Sequence, residues 1–180
     1  MSKNLSYGCE GLCAVISGGT SGIGLETARR LLADGARVYI LGRSAKRGAE
    51  ALRYLKEQTG AEAQYISCDV SSQAQCKAAL AQVAEREGRI HISRADAVHT
   101  HARCQIQPVN VKGTMLLTQA ALPYLRSGSC VVNIASDAAV SGNYGCALYC
   151  ASKGAVVAFT RALALDLAPS VRVNCVCPAD

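Results

Sequence analysis

The feature that most constrains the fold is a repeated alternation of short apolar runs with segments of helical periodicity. Residues 12–17 (LCAVIS) are an apolar run that stops at a glycine pair, and apolar residues then recur at helical spacing as far as residue 32. Downstream, strands are predicted at 37–41, 63–68, 130–135 and 171–176, and helices at 45–58, 72–87, 111–125 and 149–167. Each early helix acts as a crossover to a parallel neighbour. The pattern predicts an α/β fold, a doubly wound parallel sheet with helices on both faces.

The composition fits one packed domain spanning residues 1–180. Half of the 180 residues are hydrophobic and 18% are charged, which excludes a disordered chain. The longest apolar runs hold about seven residues against the ~20 that a membrane span needs, and the opening residues lack the apolar core of a signal peptide. We therefore expect a soluble, cytoplasmic protein without a membrane span.

The charged residues do not form a nucleic-acid surface. The 19 basic and 13 acidic side chains leave a net charge of +6, and the basic ones are scattered along the chain. Nucleic-acid binding needs a clustered basic stripe, and base stacking needs more aromatic side chains than the 4% present here. The positive charge suits an anionic cofactor better.

The ten cysteines are expected to be reduced and mostly structural. There is no CxxC pair, and a chain without an export signal normally meets a reducing cytosol. Five of them lie in or beside apolar runs, where a small buried hydrophobe would serve as well: Cys13, Cys68, Cys130, Cys175 and Cys177. Cys146 and Cys150 flank Tyr149, where a reactive thiol is the alternative to a structural one.

A glycine-rich turn, residues 18–24 (GGTSGIG), lies between the first predicted strand and the first predicted helix. Such a turn presents backbone N–H groups at a helix N-terminus, where the helix dipole also favours negative charge. Gly18, Gly22 and Gly24 allow the tight turn and the close approach of a ligand. The turn therefore predicts a pyrophosphate site, although some glycine turns only pack.

The end of the second predicted strand indicates which dinucleotide would bind. An acidic residue at this place contacts the ribose 2′-hydroxyl of NAD, whereas a basic one accommodates the 2′-phosphate of NADP. The sequence there is Leu41-Gly42-Arg43-Ser44, with Lys46 and Arg47 close behind. Arg43 thus favours NADP(H) over NAD(H), which remains possible; the alternative is a solvated arginine at a helix start.

Tyr149 and Lys153 are four residues apart at the start of a predicted helix and therefore share one face. A free phenol is a poor base at neutral pH unless an adjacent cation stabilises the phenolate, and Lys153 can do so. Ser136 follows the 130–135 strand at the edge of the sheet where ligands bind in open α/β folds. This trio predicts acid–base chemistry.

With these motifs, the chain resembles the classical short-chain dehydrogenase/reductase family over residues 9–92 and 109–178. The likeness rests on the order and spacing of Ser17-Gly18 opening the glycine turn, Cys68-Asp69-Val70, Val109-Asn110-Val111, Ser136, the Tyr149/Lys153 pair, and Arg172-Val173-Asn174 before Pro178. The resemblance implies a Rossmann-like domain that transfers hydride between a nicotinamide dinucleotide and an alcohol or carbonyl substrate, in a dimer or tetramer.

The resemblance also implies residue roles. Tyr149 would exchange a proton with the substrate oxygen, Lys153 would hold the nicotinamide ribose, Ser136 would bond the reacting oxygen, and Asn110 would keep a relay water in place. Asp69 would accept from the adenine amino group, with Val70 against the ring. The implied cofactor residues are Ser17, Gly18, Thr20, Ser21, Gly22, Ile23, Gly24, Arg43, Asp69, Val70, Tyr149, Lys153 and Pro178.

The chain departs from the family pattern in two places. Residues 91–108 replace the usual fourth strand, which ends in Asn-Asn-Ala-Gly, and the helical segment after it. A polar loop is expected there, which would split the sheet; a strand at 90–93 or 95–99 is the alternative, but it would bury Arg94 or Asp96. The histidines and cysteine of 99–104 lack zinc spacing, so no metal is expected.

The second departure is that the chain ends soon after Pro178, where the family continues into a substrate loop and a seventh strand. Two functions therefore remain open from the sequence. One is an NADP(H)-dependent oxidoreductase that interconverts a secondary alcohol and a ketone. The other is a truncated, catalytically impaired member of the family that binds nucleotide or pairs with a full-length relative.

Overall fold

The computed structural model describes residues 6–95 and 107–179, which form a six-stranded parallel sheet flanked by helices. The first half contains β1 (Cys13–Ser17), α1 (Gly22–Ala33), β2 (Arg37–Gly42), α2 (Ala45–Thr59), β3 (Gln64–Ser67) and α3 (Gln73–Glu87). The second half contains β4 (Ile90–Ala95), a π-helical segment (Gln107–Gly113), α4 (Thr114–Ala121), a 3₁₀ turn (Leu122–Tyr124), β5 (Leu125–Ile134), a second 3₁₀ turn (Asp137–Ala139), α5 (Ala147–Leu167) and β6 (Arg172–Val176). The strand order β3-β2-β1-β4-β5-β6 confirms the predicted doubly wound fold.

Side-chain alternation along β1 and β2 divides the core into two layers. On one face Val15 and Leu41 pack with buried residues of α3 and α4, and on the other Ile16 and Ile40 pack with those of α1 and α2. All four side chains are at most 1% exposed. Because both faces are covered, these strands need apolar side chains at successive positions, which explains the unbroken runs in the sequence.

The helices α2 and α3 begin and end at residues suited to those positions. The hydroxyls of Ser44 and Ser72 accept from the backbone N–H groups of Arg47 and Gln75, which caps the N-termini of α2 and α3. Gly60 and Gly88 end the same helices with φ near +70°, in the left-handed region that glycine adopts without strain. Local chemistry therefore sets these helix bounds.

The expectation of a polar loop that splits the sheet is wrong for residues 91–95. They belong to β4, which pairs with both β1 and β5 and fills the position at the centre of the sheet. Two polar residues of this strand find partners: His91 Nδ1 accepts from Cys13 N at 3.0 Å, and the buried Arg94 Nη1 donates to the Ser17 carbonyl at 3.3 Å. The alternative strand at 95–99 and the possible metal ligands at 99–104 lie outside the described residues.

The segment predicted as one helix at 111–125 is instead composite. It starts as a π-helix at Gln107–Gly113, continues as α4, and ends in the Leu122–Tyr124 turn, whose second residue is Pro123. Proline lacks the N–H that would extend the helical hydrogen bonding, so the chain leaves the helix there. As a result β5 begins at Leu125, five residues before the predicted strand.

All nine cysteines within residues 6–95 and 107–179 are free thiols. Cys13 and Cys68 are buried as expected for small core residues, and Cys130 and Cys175 are half-buried. Cys177 differs from the expectation because it is exposed, immediately beyond the end of β6.

In the part of the chain that the structure describes, α5 alone has the length and composition of a membrane-crossing helix. Here it packs against the sheet: Val156 is 1% exposed, and Leu163 lies in a small cluster with Val131 and Val173. Only 28% of the apolar window of this helix is buried, and one helix of this kind is weak evidence for a membrane span.

The His91 contact predicts a pH dependence of stability. Burial, with help from Arg89 and Arg37, holds the pKa of His91 below its usual 6.5, while Glu87 opposes this. The unfolded chain then binds the proton more readily, so stability is full above pH 6.5 and declines as the pH falls from there towards the folded-state pKa. Losing the bond to Cys13 costs about 1 kcal/mol, or ~2–4 °C in Tm.

Thermal unfolding of wild type and His91→Asn between pH 8 and pH 5 checks this expectation. The asparagine oxygen can accept from Cys13 N but does not titrate, so the variant should lose less stability on acidification. If the two proteins lost the same stability between pH 8 and pH 5, the titration of His91 would not be the cause.

Candidate active site

The glycine turn joins the end of β1 to the start of α1. Gly18 and Gly22 have positive φ values of 66° and 53°, which the turn requires. Ser21 caps α1 through its backbone position only; in the described structure its side chain makes no cap hydrogen bond. The first N–H groups of α1 are therefore presented at this turn for a ligand to accept from, as in anion sites at helix N-termini.

Gly24 shows why the turn tolerates no side chain at its third glycine. A Cβ built on Gly24 would lie 2.3 Å from the Gly18 carbonyl oxygen and 3.1 Å from Nη1 of Arg94. The first turn of α1 therefore packs directly on the backbone of the loop. This close approach holds the amides of the turn in one arrangement.

A pocket of about 480 Å³ continues from this turn across the ends of β2 and β3. It is lined by the sequence-predicted Gly18, Thr20, Ser21, Arg43, Asp69 and Val70. Ser44, Arg47 and Val109 line it as well. Two guanidinium side chains thus stand at one end of the pocket. The sequence analysis assigned the phosphate contact to Arg43 alone. The position of Arg47 in the first turn of α2 could have identified it as a second one.

Asp69 also lines the pocket and is an ionised acceptor. Its Oδ1 accepts from the backbone N–H of Ser71 at 2.9 Å and from the Ser71 hydroxyl at 2.8 Å. The backbone hydrogen bond from Ser71 is the main cause that keeps the pKa of Asp69 below its usual value, and Arg43 contributes through its charge. The carboxylate can therefore accept from a donor in the pocket at neutral pH.

Tyr149 and Lys153 lie one turn apart in α5, as predicted. Lys153 is buried, at 1% exposure, and its Nζ donates to the Ile134 carbonyl at the end of β5 across 2.9 Å. The same Nζ lies 5.9 Å from the centre of the half-buried Tyr149 ring. The sheet therefore holds a positive charge beside the phenol.

Ser136 follows β5 and is nearly buried. Its hydroxyl donates to Asp137 Oδ1 at 2.9 Å and accepts from Ala138 N at 3.2 Å. The Asp137 N–H donates to the Pro178 carbonyl at 3.0 Å, which ties the segment after β6 to the same corner. Ser136 and Pro178 thus lie together at the carboxyl edge of the sheet.

Asn110 reaches Tyr149 through a residue that the sequence analysis missed. In the π-helical segment, Asn110 Nδ2 donates to Ser152 Oγ at 3.2 Å, and this hydroxyl donates to the Tyr149 carbonyl at 2.7 Å. Asn110 and Ser152 are each 0% exposed. The position of Ser152, three residues after Tyr149, is one from which a helical serine can bond a preceding carbonyl, and could have identified it.

Two other predicted residues have distinct settings. Ser17 is 1% exposed at the end of β1, where its carbonyl accepts from Arg94. Ile23 is 54% exposed on the outer surface of α1, and its side chain does not line the pocket beside the turn. Among residues 6–95 and 107–179 no group of three or more His, Cys, Asp or Glu side chains could hold a metal ion.

The fold and the site define a dinucleotide-binding oxidoreductase class, and comparison with known proteins identifies the family. The family model for short chain dehydrogenases matches residues 12–180. The chain belongs to the short-chain dehydrogenase family. A curated relative, tropinone reductase-like 3 of Erythroxylum coca, is 37% identical over 180 residues, covering 94% of this chain and 69% of the relative.

Solved structures agree with this assignment. An NAD⁺-bound xylitol dehydrogenase superposes with a TM-score of 0.90 at 29% identity, covering 94% of this chain and 70% of the other. An actinorhodin polyketide ketoreductase variant with NADPH gives 0.87 at 33% identity, covering 97% and 72%. The chain spans between 64% and 74% of the length of eight curated relatives.

Proposed function

We propose that this protein is an NADP(H)-dependent oxidoreductase that interconverts a secondary alcohol and a ketone. The observation that carries the proposal is the buried Lys153 Nζ, 5.9 Å from the Tyr149 ring, at the same sheet edge as the glycine turn. A proton-transferring phenol and a dinucleotide-binding turn at one edge suit hydride transfer coupled to proton transfer.

The pocket fits a dinucleotide in shape and charge. The backbone of the turn occupies the space that a Cβ on Gly24 would fill, so the first turn of α1 packs directly on the loop. In this arrangement the backbone amides at the start of α1 can donate to a pyrophosphate. Asp69 can accept from the adenine amino group, and Val70 lines the same end. When bound, the nicotinamide dinucleotide supplies the hydride donor or acceptor.

In this mechanism the protein's own residues manage the proton. Tyr149 exchanges a proton with the substrate oxygen, and the charge of Lys153 stabilises the phenolate formed on donation. The Ser136 hydroxyl, now engaged with Asp137, turns to donate to that oxygen. Asn110 and Ser152 hold the Tyr149 backbone from the buried side, and we assign to Asn110 the role of keeping a relay water in place.

The preference for NADP(H) is supported by Arg43 and Arg47. Both line the pocket, with the hydroxyl of Ser44 between them in sequence, so a 2′-phosphate there would meet two guanidinium groups. The similar ketoreductase was solved with NADPH and the similar xylitol dehydrogenase with NAD⁺, so NAD(H) stays a possible second cofactor.

Arg43→Ala should weaken NADPH binding by about 10–100-fold, because a charge-assisted hydrogen bond to the phosphate is lost. NADH binding should change little, since NADH lacks that phosphate. Isothermal titration with both cofactors measures the difference. Arg53→Ala, which removes an exposed arginine from α2, the helix that follows Arg43, is the matched control for net charge. Equal losses for NADPH and NADH would refute a 2′-phosphate contact.

Two assays test the proposed function as a whole. NADPH should raise the Tm of the purified protein, by an amount that follows RT ln(1 + [L]/Kd), more than NADH at equal concentration. Consumption of NADPH with a panel of ketones and aldehydes should then show turnover. A protein that is neither stabilised by a dinucleotide nor active on the panel would disprove the proposal.

A second candidate is a catalytically impaired family member that binds nucleotide or pairs with a full-length relative. Stabilisation by NADPH without any turnover would favour it. For the first candidate we further propose a cytoplasmic protein that acts on a small molecule and assembles as a homodimer or homotetramer. Sedimentation of the purified protein tests the oligomeric state.

A further inference from the structure

Tyr65 contacts the end of the strand that leads into Arg43. It is half-buried in β3, and its side chain packs with a core cluster that includes Ala51 and Leu55 of α2. The Tyr65 hydroxyl donates to the Gly42 carbonyl at 2.7 Å. Gly42 is the last residue of β2 and directly precedes Arg43. The hydroxyl therefore holds the backbone immediately before this arginine.

The ring of the same side chain lies against the start of α2. A Cβ built on Gly48 would lie 2.6 Å from Cδ2 of Tyr65, so the ring packs directly on the helix backbone at this position. Gly48 is buried and directly follows Arg47. One tyrosine therefore contacts the residue before Arg43 through its hydroxyl and the residue after Arg47 through its ring.

The end of β2 is also held from other directions. The Gly42 carbonyl accepts a second hydrogen bond, from Cys68 N just after β3, at 2.9 Å. A Cβ built on Gly42 would lie 2.9 Å from Cγ2 of Thr20, in the glycine turn. Gly42 thus lies between the glycine turn and β3 without room for a side chain. In this close arrangement, the bond from Tyr65 restrains the direction in which the chain continues to Arg43.

The position of this backbone matters for ligand binding at the pocket. Arg43, Ser44 and Arg47 line it, and the Ser44 hydroxyl accepts from the Arg47 N–H at 3.3 Å, so its own proton can be donated to a ligand. Recognition of a phosphate by arginine depends on geometry as well as on charge. Both arginine side chains are exposed, so the places that they can reach are set by where the backbone holds their Cα atoms.

We propose that Tyr65 is a positioning residue for the 2′-phosphate of NADP(H), because it holds the backbones of Arg43 and Arg47 where both guanidinium groups reach one phosphate. The identity of the cofactor rests on the proposed function, whereas the role of Tyr65 rests on its two contacts. Tyr65 itself does not line the pocket, so it acts through the two arginines and not by touching the ligand.

A merely structural role for the Tyr65 hydroxyl would give a different result. The Gly42 carbonyl keeps Cys68 N as a donor when that hydroxyl is removed, so no acceptor loses all its partners. A structural hydroxyl would then change stability and would affect the binding of NADPH and NADH alike. A positioning hydroxyl changes the affinity for NADPH more than that for NADH.

Tyr65→Phe tests the proposal, because it removes the hydroxyl and leaves the ring against Gly48. The affinity of the full chain for NADPH should fall by about 3- to 10-fold, since a displaced guanidinium loses part of a charge-assisted hydrogen bond, and that for NADH by less than about twofold. Isothermal titration with both cofactors measures this. Tyr54→Phe, the same change at an exposed tyrosine of α2, is the control and should alter neither affinity.

A double-mutant cycle shows whether Tyr65 acts through Arg43. In an Arg43→Ala background, Tyr65→Phe should lower the NADPH affinity by less than about twofold, because the effects of residues that act as one unit do not add. Equal fold losses in the wild-type and Arg43→Ala backgrounds would overturn the positioning role.

Gly48→Ala disturbs the same contact from the helix side. Its methyl group would displace the Tyr65 ring or the start of α2, so the ratio of NADPH affinity to NADH affinity should fall here as well. If Tyr65→Phe does not fold, this ratio decides the matter, and a ratio equal to that of the wild type overturns the proposal.

Adenosine 2′-monophosphate separates this inference from the proposed function, because it carries the 2′-phosphate without the nicotinamide. If Tyr65→Phe weakens its binding while the wild type reduces no ketone, the positioning role stands and the oxidoreductase activity fails. If the wild type reduces ketones but Tyr65→Phe weakens NADPH and NADH equally, the activity stands and the positioning role is overturned. A wild type that binds neither NADPH nor adenosine 2′-monophosphate overturns both.

Discussion

Tyr149→Phe should reduce the rate of carbonyl reduction by about 10²–10⁴-fold, the usual contribution of a general acid. The change removes one oxygen and leaves the ring that faces Lys153 at 5.9 Å. The fold should therefore be retained, and the loss should appear in kcat. Steady-state consumption of NADPH with the best substrate of the panel measures this loss, and thermal shift with NADPH shows that the cofactor still binds.

Tyr144→Phe provides the matched control. Tyr144 lies five residues before Tyr149 and is fully exposed, so the same chemical change there should leave the rate as it is in the wild type. If Tyr149→Phe reduced the carbonyl substrate as fast as Tyr144→Phe does, the Tyr149 hydroxyl would have no part in the mechanism.

Gly24→Ala should have the second large effect. The new methyl would lie 2.3 Å from the Gly18 carbonyl oxygen, so either the loop or the first turn of α1 must move. Such overpacking costs about 1–3 kcal/mol of stability, and a displacement of about 1 Å at a positioning element can lower kcat/KM about 100-fold. Urea unfolding and NADPH titration measure the two losses.

Gly154→Ala is the control for this substitution. Gly154 is also helical, and the nearest atom to its added Cβ is the Ala139 carbonyl oxygen at 4.0 Å. Alanine there should raise stability by about 0.5–1 kcal/mol, since glycine is the weaker helix former. If Gly24→Ala matched Gly154→Ala in stability and in NADPH affinity, the close contact between Gly24 and the Gly18 carbonyl would matter neither for stability nor for cofactor binding.

The sequence was sufficient where the signal is local. The glycine turn, the one-turn spacing of Tyr149 and Lys153, and the polar ends of the strands were all predicted, and the structure places them at one edge of the sheet. Apolar runs and period-3.6 patterns arise from neighbouring residues, so they can be read without the rest of the chain. Their roles in binding and catalysis remain predictions.

The sequence misled where non-local pairing decides the outcome. Residues 91–95 include His91, Ser93 and Arg94, a composition that predicts a loop. They form β4 because two existing strands, β1 and β5, offer backbone partners on both sides, and because on β1 His91 accepts from the Cys13 N–H and Arg94 donates to the Ser17 carbonyl. Such partners are distant in sequence, so no local pattern predicts them.

What the sequence by itself determined is most of the elements and the chemistry at their ends, because apolar runs, helical spacing and glycines act over a few residues. What only the tertiary structure decided is which distant groups meet. Ser152 links Asn110 to the Tyr149 backbone, and Arg94 donates to the Ser17 carbonyl at the start of the glycine turn. These contacts form only when the sheet and its crossovers bring separate segments together, since their energy depends on distance in space.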